Sequence, residues 1–116
     1  PLAFGASRWL AQGGAAAEFD YDGTPVPAAA DGLQRLMDGN KRYVAGELTA
    51  FDDLAADRKE TAGGQHPFAV IVSCADSRVP PELILDETVG ELFVVRSAGQ
   101  VIDEATRGSI TYGVDF

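Results

Sequence analysis

Residues 68–72, with the sequence FAVIV, decide the fold class of this chain of 116 residues. They show no alternation of polar and apolar side chains, which is typical of a strand covered on both faces in a parallel sheet. Residues 92–95, LFVV, have the same character. Between them, Pro80 and Pro81 favour a short helix with proline in its first turn. We therefore predict parallel strands over residues 68–74 and 91–96, joined by a helix near 80–87.

Helices are predicted on both sides of these strands. Asp31 is a good N-cap for a first helix, which Gly39 is expected to weaken, bend or end. The apolar residues on one face of that helix are Leu33, Leu36, Met37, Tyr43 and Val44. A second helix is predicted over Leu54–Thr61 and another over Arg107–Phe116. The predicted fold is α/β, with a parallel β-sheet core, flanking helices and an N-terminal helical arm. Because two strands cannot cover each other, we expect it to be incomplete at its C-terminus.

Composition excludes several kinds of partner. The chain carries 9 Lys and Arg against 18 Asp and Glu, a formal net charge of −9. Nucleic-acid binding needs a basic face, and an anionic membrane surface would repel this chain, so we expect neither partner. No apolar run approaches the ~20 residues of a membrane helix. The single cysteine excludes an internal disulfide and says little about the compartment.

Residues 1–30 are predicted to be an extension or arm, separate from a domain over residues 31–116. The first residues and the run Gly13-Gly14-Ala15-Ala16-Ala17 are small and weakly apolar, like the end of an export signal. A flexible extension, or an arm that lies on a partner subunit, is the alternative. The compartment stays open between the cytoplasm and export after signal removal.

The sequence Cys74-Ala75-Asp76-Ser77-Arg78 directly follows the first predicted strand. In α/β sheets, ligands and catalytic groups gather at the carboxyl ends of strands. A cysteine there can bind a soft metal, an aspartate two residues on can reach the same metal, and Arg78 can hold that aspartate in a bidentate pair. A buried cysteine beside a loop ion pair would be the simpler interpretation.

The wider segment from Gln65 to Glu82 closely resembles the beta-class carbonic anhydrases. The resemblance continues through residues 90–100, GELFVVRSAGQ, and residues 108–114, GSITYGV, and residues 36–44 resemble the helix that precedes the core in that family. It covers residues 31–116. It implies a zinc-dependent lyase that converts CO2 and water reversibly to bicarbonate and a proton, as a homodimer or larger homo-oligomer.

The resemblance also implies roles for individual residues. Cys74 would be a zinc ligand, and Asp76 either a further ligand that closes the site or, when paired with Arg78, the acceptor of a hydrogen bond from the activated water. Asp76 and Arg78 are therefore the predicted catalytic residues. The predicted substrate-binding residues are Gln65, which acts across the subunit interface, Phe93 and Ala98. We expect His66 to be a surface residue, and Arg96 to pair with a carboxylate.

The family also carries a His-x-x-Cys stretch, which would lie beyond Phe116. With only Cys74 and Asp76 as ligands, the 116-residue chain itself is expected to be inactive. Ser97 and Gln100 stand where relatives commonly carry asparagine, and Leu85 where many carry phenylalanine. Two alternatives follow: an inactive, carbonic-anhydrase-like assembly module, or a hydrolase of carbon disulfide or carbonyl sulfide on the same fold.

Overall fold

The computed structural model describes residues 29–115. In chain order they form helix α1 (Ala29–Ala45), helix α2 (Leu54–Glu60), strand β1 (Ala69–Cys74), helix α3 (Pro81–Ile84), strand β2 (Leu92–Ser97) and helix α4 (Glu104–Asp115). Short 3₁₀ turns follow α2 at Thr61–Gly63 and β2 at Ala98–Gln100. The predicted arm over residues 1–30 lies outside the described residues, except for its last two, which begin α1.

The two strands pair in parallel, as the apolar runs predicted. Ala69 lies opposite Leu92, and Cys74 lies opposite Ser97. The helix between them, α3, has Pro81 in its first turn and buries that ring. The α/β fold is therefore confirmed, with each strand beginning one residue later than predicted. Because side chains alternate along a strand, Cys74 and Phe93 lie on the same face of the sheet, four register positions apart.

Helix α1 packs through a face that only partly coincides with the one its apolar residues indicated. Leu33, Met37 and Val44 are 60%, 50% and 78% exposed, whereas Gly39 is buried. Leu36 and Tyr43 of the predicted face are half-buried, so the packed face overlaps one side of the predicted face. The helix also begins at Ala29, so Asp31 lies within the first turn and is not the N-cap.

Glycine explains this packing, because it allows two backbones to meet. A methyl group on Gly39 would lie 1.8 Å from the carbonyl oxygen of Leu85, just after α3. The neighbouring Asn40 donates from Nδ2 to the carbonyl oxygen of Ile84 at 2.9 Å. Gly39 therefore neither bends nor ends α1, which continues to Ala45; it brings the helix against α3.

Helices α2 and α4 each begin with an aspartate cap. The Asp53 carboxylate accepts a hydrogen bond from the Ala56 amide at 3.1 Å, and the Asp103 carboxylate accepts one from the Thr106 amide at 2.8 Å. The Asp103 cap explains why α4 begins before the predicted Arg107. Near its end, Gly113 lies against the ring of Phe93, which places α4 on the same face of the sheet as Cys74. Phe116 lies outside the described residues.

No helix within residues 29–115 combines the length and the apolar character that crossing a bilayer requires.

Candidate functional site

Cys74 is the last residue of β1, and its thiol is held by two backbone amides. The N–H groups of Asp76 and Gly99 both donate to Sγ at 3.4 Å. Gly99 can do so because it adopts a left-handed conformation, with φ of 64°, in the turn after β2. These donors, first that of Asp76 and then that of Gly99, lower the pKa of the Cys74 thiol. A lower thiol pKa favours the thiolate, which is the form that binds metals.

Asp76 and Arg78 form the bidentate pair that their spacing predicted. Nε of Arg78 donates to Oδ1 at 3.0 Å, and Nη2 donates to Oδ2 at 2.6 Å. The Arg78 amide also donates to Oδ1, at 2.9 Å. The side-chain bonds, followed by the amide bond, hold the pKa of Asp76 below its ordinary value. The carboxylate is thus charged at neutral pH and turned toward the arginine.

Arg96 lies on β2 and reaches across to the loop that carries these groups. Its Nε donates to the carbonyl oxygen of Cys74 at 2.9 Å, and its Nη2 donates to the carbonyl oxygen of Asp76 at 2.6 Å. The expectation that Arg96 pairs with a carboxylate was therefore wrong. Its partners are backbone carbonyls, which a residue pattern does not reveal because every residue carries one.

The predicted substrate-binding residues fall at opposite ends of the sheet. Ala98 begins the turn that follows β2 and is exposed, at the same end as Cys74. Phe93 lies four register positions from that end, about 13 Å along the strand. Its ring is tilted against Tyr112 of α4, with the ring centres 5.8 Å apart. The structure thus brings Ala98 to Cys74 and leaves Phe93 in the packing of α4.

Gln65 and His66 precede β1 and lie at its amino end, and both are exposed. Cys74 lies at the carboxyl end of the same strand, so Gln65 is separated from Cys74 of its own chain by the length of β1. The structure does place His66 on the surface, as expected. The roles assigned to Gln65 and Phe93 stay predictions.

An apolar concavity of the described residues does not coincide with Cys74. It has a volume of about 450 Å³ and lies between the start of β1 and the ends of α1 and α4. Its lining includes Gly32, Leu36, Phe68, Val70 and Gly113. This concavity is apolar and open. The hydrogen-bonded groups around Cys74 are therefore the better candidate for a site of chemistry.

The donor chemistry at Cys74 fits part of a zinc site. A thiolate and a carboxylate are both zinc ligands. A tetrahedral zinc site needs four protein ligands, or three protein ligands and a water. Within residues 29–115, no group of three or more His, Cys, Asp or Glu side chains is placed to hold a metal ion. Cys74 and Asp76 could therefore supply at most two ligands, and Asp76 only after leaving Arg78.

A second polar cluster, which the sequence did not predict, joins α1 to the segment after α3. Asp86 is almost fully buried and accepts hydrogen bonds from the amides of Thr49 and Ala50 at 3.0 and 2.9 Å and from Nε of Arg42. Burial alone would raise the pKa of Asp86, but these donors outweigh it and hold the pKa at about 2.

Glu87 completes this cluster with Arg35, which lies seven residues before Arg42 on the same side of α1. Arg35 binds the Glu87 carboxylate in a fork, at 3.0 and 2.5 Å, and also contacts Glu91 at 2.7 Å. Burial raises the pKa of Glu87, and Arg35 only partly offsets it. The available signal was two arginines two turns apart, together with two adjacent acids in an apolar context.

These observations define an α/β protein with a thiol, a carboxylate and a guanidinium at the carboxyl end of a parallel strand, where sheets of this class carry their sites. A family model described as "Carbonic anhydrase" matches residues 69–116. "Carbonic anhydrase 2" of Mycobacterium tuberculosis is 51% identical over 79 residues, which are 68% of this chain and 38% of that protein. These similarities support the assignment of the chain to the beta-class carbonic anhydrases.

Two further relatives show the same partial coverage. The "Carbonic anhydrase" of Mycolicibacterium smegmatis is 46% identical over 68% of this chain and 38% of that protein. A solved structure titled as the beta-carbonic anhydrase CcaA is 31% identical, with a TM-score of 0.49, and the match covers 72% of this chain and 39% of that one. The chain thus spans about two fifths of the length of these three relatives.

Proposed function

We propose that the protein to which this chain belongs catalyses the reversible hydration of CO2 to bicarbonate and a proton, with zinc as its cofactor. The observation that carries this proposal is the Arg78–Asp76 fork beside the amide-bound thiol of Cys74. Together with similarity to the carbonic anhydrase family, it supports a metal site at the end of β1.

Each residue has one task in this proposal. Zinc, when bound, supplies Lewis-acid activation of the water that attacks CO2. Cys74 holds the metal through its thiolate. Arg78 keeps Asp76 turned away from the metal position and ionised. Oδ2 of Asp76 accepts one hydrogen bond from Arg78, so it can still accept a second one from the reacting water. Asp76 thereby orients the water and does not compete for the metal.

Substrate binding would require a second copy of the chain. Gln65 lies at the amino end of β1 and cannot approach its own Cys74, which supports a role at the site of a partner subunit. Phe93 and Ala98 are proposed to line the apolar CO2 pocket, and a small apolar pocket suits a linear nonpolar substrate. Because these two residues lie at opposite ends of the sheet in one chain, Phe93, like Gln65, would reach the pocket of a partner subunit. The proposed assembly is a homodimer or a larger homo-oligomer.

Stopped-flow CO2 hydration by the natural full-length protein, with zinc measured on the same sample, tests the proposal. We expect saturable hydration that is lost when a chelator removes the metal and returns with added zinc. Zinc-loaded protein without hydration would favour the inactive assembly module. Turnover of carbon disulfide or carbonyl sulfide without CO2 hydration would favour the sister activity. For the 116-residue chain alone we expect little hydration, because two ligands do not hold zinc in a competent geometry.

A further inference from the structure

We propose that Arg96 is a positioning residue. It holds the backbone from which the Cys74 thiol and the Asp76 carboxylate project, and so fixes the two groups relative to each other. This inference rests on the proposed function only for the reason why these two groups need to be positioned. Its own basis is the pair of hydrogen bonds from one guanidinium to the carbonyl oxygens of Cys74 and Asp76, at 2.9 and 2.6 Å.

The loop after β1 has few other anchors to the rest of the sheet. The ladder between the strands ends where the Ala75 amide donates to the carbonyl oxygen of Ser97 at 2.9 Å. One residue later, the next anchor is the bond from Arg96 to Asp76. By binding the carbonyls on both sides of Ala75, Arg96 fixes the peptide planes from which the thiol and the carboxylate project.

The bond from Arg96 to Asp76 also holds the residue whose amide donates to the thiol. The Asp76 amide donates to Sγ of Cys74, and the Asp76 carbonyl accepts from Arg96, so the backbone of Asp76 is held at both its N–H and C=O groups. With this backbone fixed, Asp76 can exchange between Arg78 and another partner by side-chain rotation alone. The loop need not move.

A fork with two donors suits this task better than a single ammonium group. The guanidinium is planar and presents its Nε and Nη2 donors at a fixed spacing, which matches two carbonyls two residues apart. A lysine at position 96 could reach one carbonyl oxygen but could not bridge both in the same geometry. Arg96→Lys should therefore restore only part of what Arg96→Gln removes.

Amide hydrogen exchange, followed by NMR in the 116-residue chain, tests this proposal without any need for metal or activity. In Arg96→Gln we expect the Asp76 and Gly99 amides to exchange about tenfold faster, because the loop loses two charge-assisted bonds. Arg96→Lys should give an intermediate increase. The control Arg58→Gln removes the same charge from an exposed position on α2 and should leave the exchange rates of both amides unchanged. In all three variants, the strand amides of Ile71 and Val94 should exchange as they do in the parent chain.

Unchanged exchange at Asp76 and Gly99 in folded Arg96→Gln would overturn the proposal. If that variant does not fold, Arg96→Lys decides, since faster exchange must then be confined to the loop and must spare the strand amides. In the natural full-length protein, Arg96→Gln should weaken zinc binding about tenfold in competition with a chelator. A protein without hydration but with the expected exchange pattern would refute the proposed function and leave the role of Arg96 intact.

Discussion

Gly39 of α1 lies directly against the carbonyl oxygen of Leu85, and a methyl group at Gly39 would come within 1.8 Å of it. This contact sets the distance between α1 and the segment that follows α3. At this distance, Arg42 reaches the buried Asp86 and Arg35 reaches Glu87. A glycine in mid-helix, which costs intrinsic helix stability, is thus the condition for two ion pairs.

We expect Gly39→Ala to destabilise the fold by about 1–3 kcal/mol, because the methyl group pushes α1 off the Leu85 backbone. Gly108→Ala is the matched control, since Gly108 also lies inside a helix but has open space where its methyl group would go. That control should gain stability by roughly 0.5–1 kcal/mol. Urea unfolding of the three proteins compares them. Equal stability of Gly39→Ala and the parent chain would contradict the assigned role of the contact.

Protonation of Asp86 should make the chain less stable in acid. The pKa of Asp86 is about 2 in the folded state against an ordinary value of 3.8, so the folded state favours its ionised form. That contribution, about 2 kcal/mol, is fully present above pH 3.8 and is lost as the pH falls toward 2. Because the pKa of Glu87 is raised, Glu87 has the opposite sign, and its protonation adds stability as the pH falls through its folded pKa.

Asp86→Asn tests this assignment by thermal unfolding between pH 2 and pH 7. We expect lower stability at neutral pH and a smaller loss in acid, because the amide does not titrate and pairs poorly with Arg42. Asp52→Asn, at an exposed position nearby, serves as the control and should keep the acid dependence of the parent chain. An unaltered acid limb in Asp86→Asn would show that another group causes it.

The Asp76–Arg78 pair should control hydration without controlling metal content in the natural full-length protein. We expect Arg78→Ala to lower the hydration rate about 10–100-fold while zinc stays bound, because Asp76 loses the partner that keeps it off the metal position. Asp76→Asn should also lower the rate, since its amide oxygen is a weaker, uncharged acceptor. Cys74→Ser should instead lose zinc, because a hydroxyl is a poor ligand for this metal.

Stopped-flow hydration and metal analysis on the same preparations separate these three effects. Near-normal hydration in Arg78→Ala would remove the role assigned to the fork. Full zinc occupancy in Cys74→Ser would remove the role assigned to the thiol.

The assembly is expected to be a homodimer or larger, because Gln65 and Cys74 of one chain lie at opposite ends of β1. Sedimentation at micromolar concentration should therefore show a species of at least twice the chain mass. A monomer under these conditions would contradict the proposal that Gln65 acts at the site of a partner subunit. Gln65→Ala should lower hydration and leave the sedimentation pattern unchanged, since an exposed amide contributes little to folding.

The amino-acid sequence determined the parts of this protein that depend on local pattern. Two unbroken apolar runs around Pro80 and Pro81 predicted parallel strands to within one residue, because burial on both faces leaves no place for polar alternation. The spacing of Asp76 and Arg78 predicted their fork, because residues two apart in a tight loop meet whatever the rest of the chain does.

Tertiary structure alone decided the features that depend on backbone atoms and on distant partners. Gly39 contacts a carbonyl 46 residues away, Arg96 binds two backbone oxygens, and the amides of Thr49 and Ala50 surround Asp86. Backbone groups are identical in every residue and leave no compositional signal. The packed face of α1 was also decided there, because close approach at a glycine and two ion pairs outweighed the hydrophobic periodicity of Leu33, Met37 and Val44.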